Sequence, residues 1–145
     1  MKPFAVLVLL GLTAFAADER PQRKIEFTDL DRFRGTWAGP GEMTWEFAGP
    51  RYRIFMQGQL VADLRIKLNE TKRPREFDVW YDGDDPNLQQ AYPAATPYRG
   101  IYEFRGQQLI RCVAPPGSER PTEFDGNQGV LSTLDRVVPA KGAGK

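Results

Sequence analysis

The clearest strand pattern of the chain lies in residues 60–69, which read LVADLRIKLN. Apolar residues fall at every second position of this stretch: Leu60, Ala62, Leu64, Ile66 and Leu68. Successive side chains of a β-strand point to opposite faces, so a period of two predicts a strand with one face in a core and the other in water. Strands of this kind are typical of antiparallel sheets.

Shorter alternations of the same kind flank this strand on both sides. They occupy residues 36–37, 43–47, 51–54, 77–81, 100–105, 109–113 and 130–136. Turn residues separate several of them, as at Gly49-Pro50 and at Lys72-Arg73-Pro74. About eight strands at short, regular spacing predict an all-β fold, which is either a sandwich or a barrel.

One short helix is predicted ahead of the first strand. Thr28 is a suitable N-cap, and Asp29 suits a first turn, where the helix dipole favours negative charge. Leu30 and Phe33 would share one face of this helix, and Gly35 would end it. No second helix of useful length is predicted.

The hairpin around Gly106 predicts which side chains enter the interior. With a two-residue turn, the more apolar face carries Tyr102, Phe104, Leu109, Arg111 and Val113. We therefore expect Arg111 inside, where a guanidinium needs a partner. Two interpretations remain open. Arg111 binds a ligand carboxylate or phosphate bidentately, or it reaches the barrel mouth or pairs with an internal glutamate.

Residues 82–98 form a long, proline-containing connection between strands. One interpretation is a lid over a ligand entrance, with Tyr92 and Tyr98 supplying amphipathic contact area. The other is a surface insertion without a role. Its first residues, Asp82-Gly83-Asp84-Asp85, resemble a calcium loop, but Pro86 interrupts the pattern and no acidic residue follows until Glu103. We expect a solvated turn there.

Two tryptophans are expected on different faces of the sheet. Trp45 shares its face with Met43 and Phe47, which predicts a place in the core or in a cavity wall. Trp80 falls on the opposite face from Val79, so we expect it to point outward and to offer a contact surface. The candidate ligand-binding residues are Arg111, Tyr102, Phe104, Trp45, Tyr92 and Tyr98.

The composition excludes several kinds of chemistry. The chain has no histidine and a single cysteine, Cys112. Ser–His and Cys–His pairs, histidine metal sites and internal disulfides are therefore excluded. Cys112 is expected to be a small buried side chain on a strand. We expect no catalytic residues, no metal and no cofactor, and a protein that is not an enzyme. A carboxylate-based enzyme stays open as a third interpretation, because carboxylates, lysine, tyrosine and arginine remain for catalysis.

The N-terminus has the features of a secretory signal peptide. Lys2 precedes an uncharged run from Phe4 to Ala16, which is shorter than the roughly 20 apolar residues of a membrane span. Cleavage is expected between Ala16 and Ala17, which predicts a periplasmic or extracellular protein without a transmembrane anchor. The remaining chain has 19 basic and 19 acidic residues. This balance argues against nucleic acid as a partner.

Gly35-Thr36-Trp37, at the start of the first strand, resembles the G-x-W motif of the lipocalins. The resemblance implies an antiparallel, up-and-down barrel of about eight strands with a short N-terminal helix. It also implies that Trp37 closes one end of the barrel and that an arginine from the last strand, here Arg136, packs across its ring.

A second resemblance covers roughly residues 28–136. GIYEF at 100–104, Leu109 with Cys112, and APPGSERPTEF at 114–124 are similar to a small exported, lipocalin-like family known chiefly from planctomycete bacteria. The segment 82–98 is longer than the usual connection in that family. No activity is assigned to the family, so the resemblance implies fold and export alone.

These observations predict the organisation of the chain and its function class. We expect a signal peptide at 1–16, a flexible leader at 17–27, a lipocalin-like barrel at 28–138 and a disordered tail at 139–145. The predicted function is binding of a small hydrophobic or amphipathic ligand in the barrel. The alternative is a barrel without a cavity that recognises an envelope protein through its surface.

Overall fold

The alternating stretches of the sequence form eight antiparallel strands that close into a barrel. The computed structural model describes residues 26–139. Each strand pairs with its neighbours in sequence, and the last pairs with the first. The strands are β1 (Gly35–Ala38), β2 (Met43–Ala48), β3 (Arg51–Met56), β4 (Gln59–Asn69), β5 (Arg75–Trp80), β6 (Tyr98–Arg105), β7 (Gln108–Ala114) and β8 (Val130–Arg136). The predicted all-β, eight-stranded, up-and-down barrel is confirmed.

Two short helices complete the fold, α1 (Asp29–Phe33) and α2 (Pro86–Ala91). Within residues 26–139, neither helix is long and apolar enough to cross a membrane. The predicted signal peptide, most of the predicted leader and all but the first residue of the predicted tail lie outside the described residues.

The period of two determines which side chains are buried. Along β4, Ala62, Leu64 and Ile66 are buried in the core, while Asp63 and Arg65 between them are only partly covered. In the β6–β7 hairpin, Arg105 pairs with Gln108 across a two-residue turn, so Tyr102 lies opposite Arg111. The prediction that Tyr102 and Arg111 share one face of the hairpin is therefore correct.

One end of the barrel, which we term the closed end, is sealed by α1, Trp37 and Arg136. Thr28 caps α1, and its side chain accepts a hydrogen bond from the backbone of Asp31. The indole Nε1 of Trp37 donates to the carbonyl of Phe33 at 2.7 Å. The guanidinium of Arg136 lies 4.3 Å from the centre of the Trp37 ring. It also donates to carbonyl oxygens at the end of α1, which joins the helix to the last strand.

A buried carboxylate attaches α1 to the barrel wall. Asp29 is only 5% exposed. It accepts a hydrogen bond from the Tyr102 hydroxyl at 2.7 Å and forms an ion pair with Arg75 at 3.1 Å. Burial and the bond to Asp29 both raise the pKa of the Tyr102 hydroxyl well above its ordinary value of 10.0. Asp29 therefore does more than complement the helix dipole, because it satisfies two groups of the barrel.

The segment between β7 and β8 lies across the outer face of the barrel. Arg120 fastens it, donating to the carbonyls of Phe77 and Gly100 at 2.9 Å each and to Asp78 Oδ1 at 2.6 Å. Beneath it, Cys112 faces outward yet is completely buried, and its thiol donates to the carbonyl of Asp125. The burial predicted for Cys112 is thus correct, and this cover raises the pKa of the thiol.

The thiol of Cys112 should report whether this segment is in place. We expect a disulfide reagent such as dithionitrobenzoate to label the native protein far more slowly than the unfolded chain at mildly alkaline pH, because only an accessible thiolate reacts. Arg120→Ala should speed native labelling about tenfold or more by allowing local opening. Labelling that is equally slow in both proteins would contradict a fastening role for Arg120. Arg105→Ala, an exposed control away from this segment, should leave the rate unchanged.

Candidate functional site

The half of the barrel away from α1 contains a cavity of about 480 Å³. It lies toward the strand ends marked by Met43, Met56, Trp80 and Val130, which we term the open end. The described residues that line it are Met43, Trp45, Tyr52, Ile54, Phe77, Val79, Tyr92, Tyr98, Arg111, Val113, Pro115, Val130 and Ser132. Among these, only Arg111 carries a formal charge, and most of the others are apolar or aromatic.

Four of the six candidate ligand-binding residues meet in this cavity, namely Arg111, Trp45, Tyr92 and Tyr98. The other two, Tyr102 and Phe104, do not line it. Both side chains lie on the same face of the hairpin as Arg111, as predicted, but they belong to the layer of the interior nearest α1. The Tyr102 hydroxyl is occupied by Asp29, and the Phe104 ring packs edge-on against Phe33 with ring centres 5.1 Å apart.

Sequence reasoning missed several cavity residues although the signal was present. Tyr52 and Ile54 belong to a recognised alternation, and their inward parity places them in the interior. Phe77 and Val79 are inward-facing in β5 by the same argument. Ser132 is harder to find, because a small polar residue within a strand usually marks the solvent face.

Arg111 reaches the centre of the site from β7 and is only 9% exposed. Its Nε donates to Ser132 Oγ at 3.0 Å, and its Nη1 donates to the Tyr52 hydroxyl. Its guanidinium carbon lies 4.6 Å from the centre of the Trp45 ring. Three strands, β2, β3 and β8, thus supply the partners that fix this side chain.

The surroundings of Arg111 correct the idea that it reaches the mouth or pairs with an internal glutamate. No carboxylate of the described residues lies within 4.0 Å of its nitrogens. The hydroxyl groups of Ser132 and Tyr52 and the ring of Trp45 surround it instead. A buried cation without a counter-ion costs several kcal/mol of solvation. Arg111 is therefore a positive centre within an otherwise neutral, largely apolar cavity.

Two tyrosines border the cavity, Tyr92 in the connection between β5 and β6 and Tyr98 at the start of β6. Tyr92 and Tyr98 have ring centres 5.3 Å apart, and burial raises the pKa of Tyr92. The backbone N–H of Tyr81 donates to the carbonyl of Tyr92 at 2.9 Å, which folds the connection back toward β5. This segment also contains α2, which the sequence analysis did not predict, although Asp85-Pro86 is a typical helix start.

Two of the three acidic residues of the calcium-like sequence have structural partners. Asp82 forms an ion pair with Arg65 at 2.8 Å, and Asp85 accepts a hydrogen bond from the Asn87 N–H as the N-cap of α2. Trp80, expected to point outward, lies on the outer side of β5 but is half-buried. The interpretation of Trp80 as a contact surface remains a prediction.

The site thus combines an apolar cavity, aromatic residues at its border and one buried cation. Chemically, it is able to enclose an apolar group and to accept a hydrogen-bonding or anionic group at Arg111. Comparisons with protein-family models, with curated proteins and with solved structures found no match to this chain.

Proposed function

We propose that this protein is a non-enzymatic binding protein that holds a small apolar or amphipathic ligand in the barrel cavity. The observation that carries the proposal is the cavity of about 480 Å³ with Arg111 in its wall. Its size falls in the range of roughly 300–1,000 Å³ that is common for small-molecule sites. Mainly apolar walls with a few fixed polar groups are also typical of such sites.

The physical driving force would be the removal of apolar surface from water. The walls contributed by Ile54, Val79 and Val113 offer aliphatic contacts, while Trp45 and Tyr98 offer ring faces. An eight-stranded barrel is just wide enough to hold one small ligand. The N-terminal sequence pattern supports a place for this function outside the cytoplasm.

The alternative of a barrel without a cavity that acts only through its surface has less support. It depends on an interior filled by side chains, whereas only the half next to α1 is filled in this way. No specific feature of the outer face favours a protein partner, because Trp80 is half-buried and is flanked by ion pairs such as Arg65–Asp82. We therefore favour the cavity.

A neutral, environment-sensitive dye such as Nile red tests the proposal. We expect a saturable increase in its fluorescence with the purified protein. Val113→Trp should abolish most of the signal, because the indole would occupy the cavity that Val113 lines. The matched control is Val61→Trp, which makes the same change at a residue that is 47% exposed and outside the lining.

Thermal unfolding of both variants verifies that each is folded before titration. Saturable binding that disappears in Val113→Trp and persists in Val61→Trp supports the cavity as the binding site. Binding that survives in both variants places the dye elsewhere and contradicts the proposal. The absence of saturable binding to the folded wild-type protein, with Nile red and with alkyl ligands alike, also contradicts it.

A further inference from the structure

We propose that the cavity takes a monoanionic amphiphile with a terminal carboxylate, and that this ligand enters acid first. Its carboxylate would bind Arg111 in the middle of the barrel, and its apolar body would extend toward the open end. This inference rests on the proposed function and adds to it the ligand class and the orientation. It is argued from hydrogen-bond donors, charge and the position of Arg111 along the barrel.

The hydrogen-bond donors of Arg111 are only partly used. Nε has Ser132 and Nη1 has Tyr52, whereas Nη2 has no acceptor among the described residues. The described residues do not enclose Nη2 completely. Nη2 therefore retains some accessible surface. Because Arg111 lines the cavity, that surface is available to a ligand there.

The charge of the cavity favours one negative charge on the ligand. Arg111 contributes the formal charge of the described lining, and the tyrosines of the lining offer it hydroxyl groups. A monoanion would balance this charge, whereas a phosphate dianion would leave one buried negative charge without a partner. A carboxylate also fits the planar fork of a guanidinium.

The position of Arg111 determines the orientation. On β7, Val113 lies two residues nearer the open end than Arg111, and on β8 Val130 lies two residues nearer than Ser132. Two residues of a strand span about 7 Å, so the acid group would bind one apolar layer below the mouth. Below Arg111, Tyr52 packs edge-on against Phe47 with ring centres 4.9 Å apart. This aromatic floor leaves the open end as the direction for the apolar body.

The open end provides an apolar rim for such a body. Met56 is 47% exposed and Val130 is 70% exposed. Met56 pairs across strands with Met43, which lines the cavity, so the rim continues the cavity wall. An acyl chain longer than the cavity would remain in contact with these side chains. A ligand in the opposite orientation would place its acid group among them.

A series of ligands with one chain and different head groups tests the ligand class. Dodecanoic acid, dodecanol and dodecyl phosphate are titrated into the purified protein at neutral pH or slightly above. We expect the acid to bind about tenfold or more tightly than the alcohol, because it forms charge-assisted hydrogen bonds with Arg111. It should also bind more tightly than the phosphate. Arg111→Met should remove the preference for the acid while dodecanol still binds.

The matched control is Arg99→Met, which removes the same charge from an exposed residue of β6 outside the cavity lining. It should leave the preference unchanged. Equal binding of acid and alcohol, or a preference that survives Arg111→Met, overturns the inference and leaves the proposed function standing. Tighter binding of the phosphate overturns the monoanion assignment. Failure of dodecanol, the acid and Nile red to bind refutes the proposed function itself.

Bromine quenching tests the orientation. In a Trp80→Phe background, dodecanoic acid brominated beside the carboxyl group should quench Trp45 more strongly than the acid brominated at the chain end. The reason is that Trp45 packs on the guanidinium of Arg111. The titration is repeated with the double variant Trp80→Phe and Trp45→Phe, in which Trp37 is the remaining tryptophan. We expect this variant to show no difference between the two brominated acids, and its signal gives the contribution of Trp37. Stronger quenching by the chain-end bromine would overturn the acid-first orientation.

Discussion

Replacing Trp37 with alanine is expected to lower the free energy of unfolding by about 4 kcal/mol, the usual cost of deleting a large buried aromatic side chain. Trp37 is completely buried at the closed end. Its removal would leave a cavity beneath α1, free the carbonyl of Phe33 and deprive Arg136 of the ring on which it packs. Urea unfolding followed by circular dichroism measures the difference.

Trp37→Phe is the matched control, because it retains an aromatic ring and loses the indole N–H. The lost hydrogen bond contributes about 1 kcal/mol, to which a smaller cavity adds a further part. We expect the phenylalanine variant to lie between wild type and Trp37→Ala. A Trp37→Ala variant within about 1 kcal/mol of wild type would show that the closed end does not depend on this side chain.

Replacing Asp29 with alanine is expected to cost about 3 kcal/mol, because it leaves the partners of a buried charge without their counterpart. Tyr102 is almost completely buried and would retain a hydroxyl without an acceptor, while Arg75 would lose its carboxylate. The estimate lies at the low end of the range for buried pairs, since the side chain of Arg75 is 31% exposed and regains some hydration.

A double-mutant cycle separates the two partners of Asp29. Tyr102→Phe alone should cost about 1 kcal/mol, since one hydrogen bond is lost and Arg75 still neutralises Asp29. In the Tyr102→Phe background, Asp29→Ala should cost less than in wild type, because no buried hydroxyl is left unsatisfied. Additive effects would mean that the hydroxyl and the carboxylate do not interact. A small effect of Asp29→Ala alone would contradict the role of Asp29 in attaching α1.

The residues that were predicted correctly are those whose burial follows from the alternation of side chains between the two faces of a strand. The alternation in residues 60–69 and its shorter relatives were enough to predict an all-β fold of about eight strands. A two-residue turn at Gly106-Gln107 determines which side chains of the two strands share a face, and this was enough to place Arg111 in the interior. In both cases the physical cause is local, because successive side chains of a strand must point to opposite faces.

Other features depend on packing, about which the alternation of side chains along a strand gives no information. Tyr102 and Phe104 share the inward face with Arg111, but only the packing of α1 decides that their layer is filled while the next is hollow. The burial of Asp29 likewise depends on Arg75 and Tyr102, which are distant in sequence. The alternation of a strand indicates whether a side chain points inward, but it does not indicate how far along the barrel axis that side chain lies. The position along the axis decides whether an inward-facing residue belongs to the filled core or to the cavity.

The closure of the barrel has a consequence for its solubility. Among the described residues, the register of β1 and β8 has two pairs, Trp37–Arg136 and Ala38–Asp135, followed by one hydrogen bond from the Val137 N–H to the carbonyl of Thr36. The other neighbouring strands pair over longer stretches. A closed sheet has no free edge, but opening at this seam would expose two unpaired strands as templates for aggregation. The stacking of Arg136 on Trp37 lies directly at this seam. The contact that seals the end of the barrel is therefore also a safeguard against edge-to-edge association between copies of the chain.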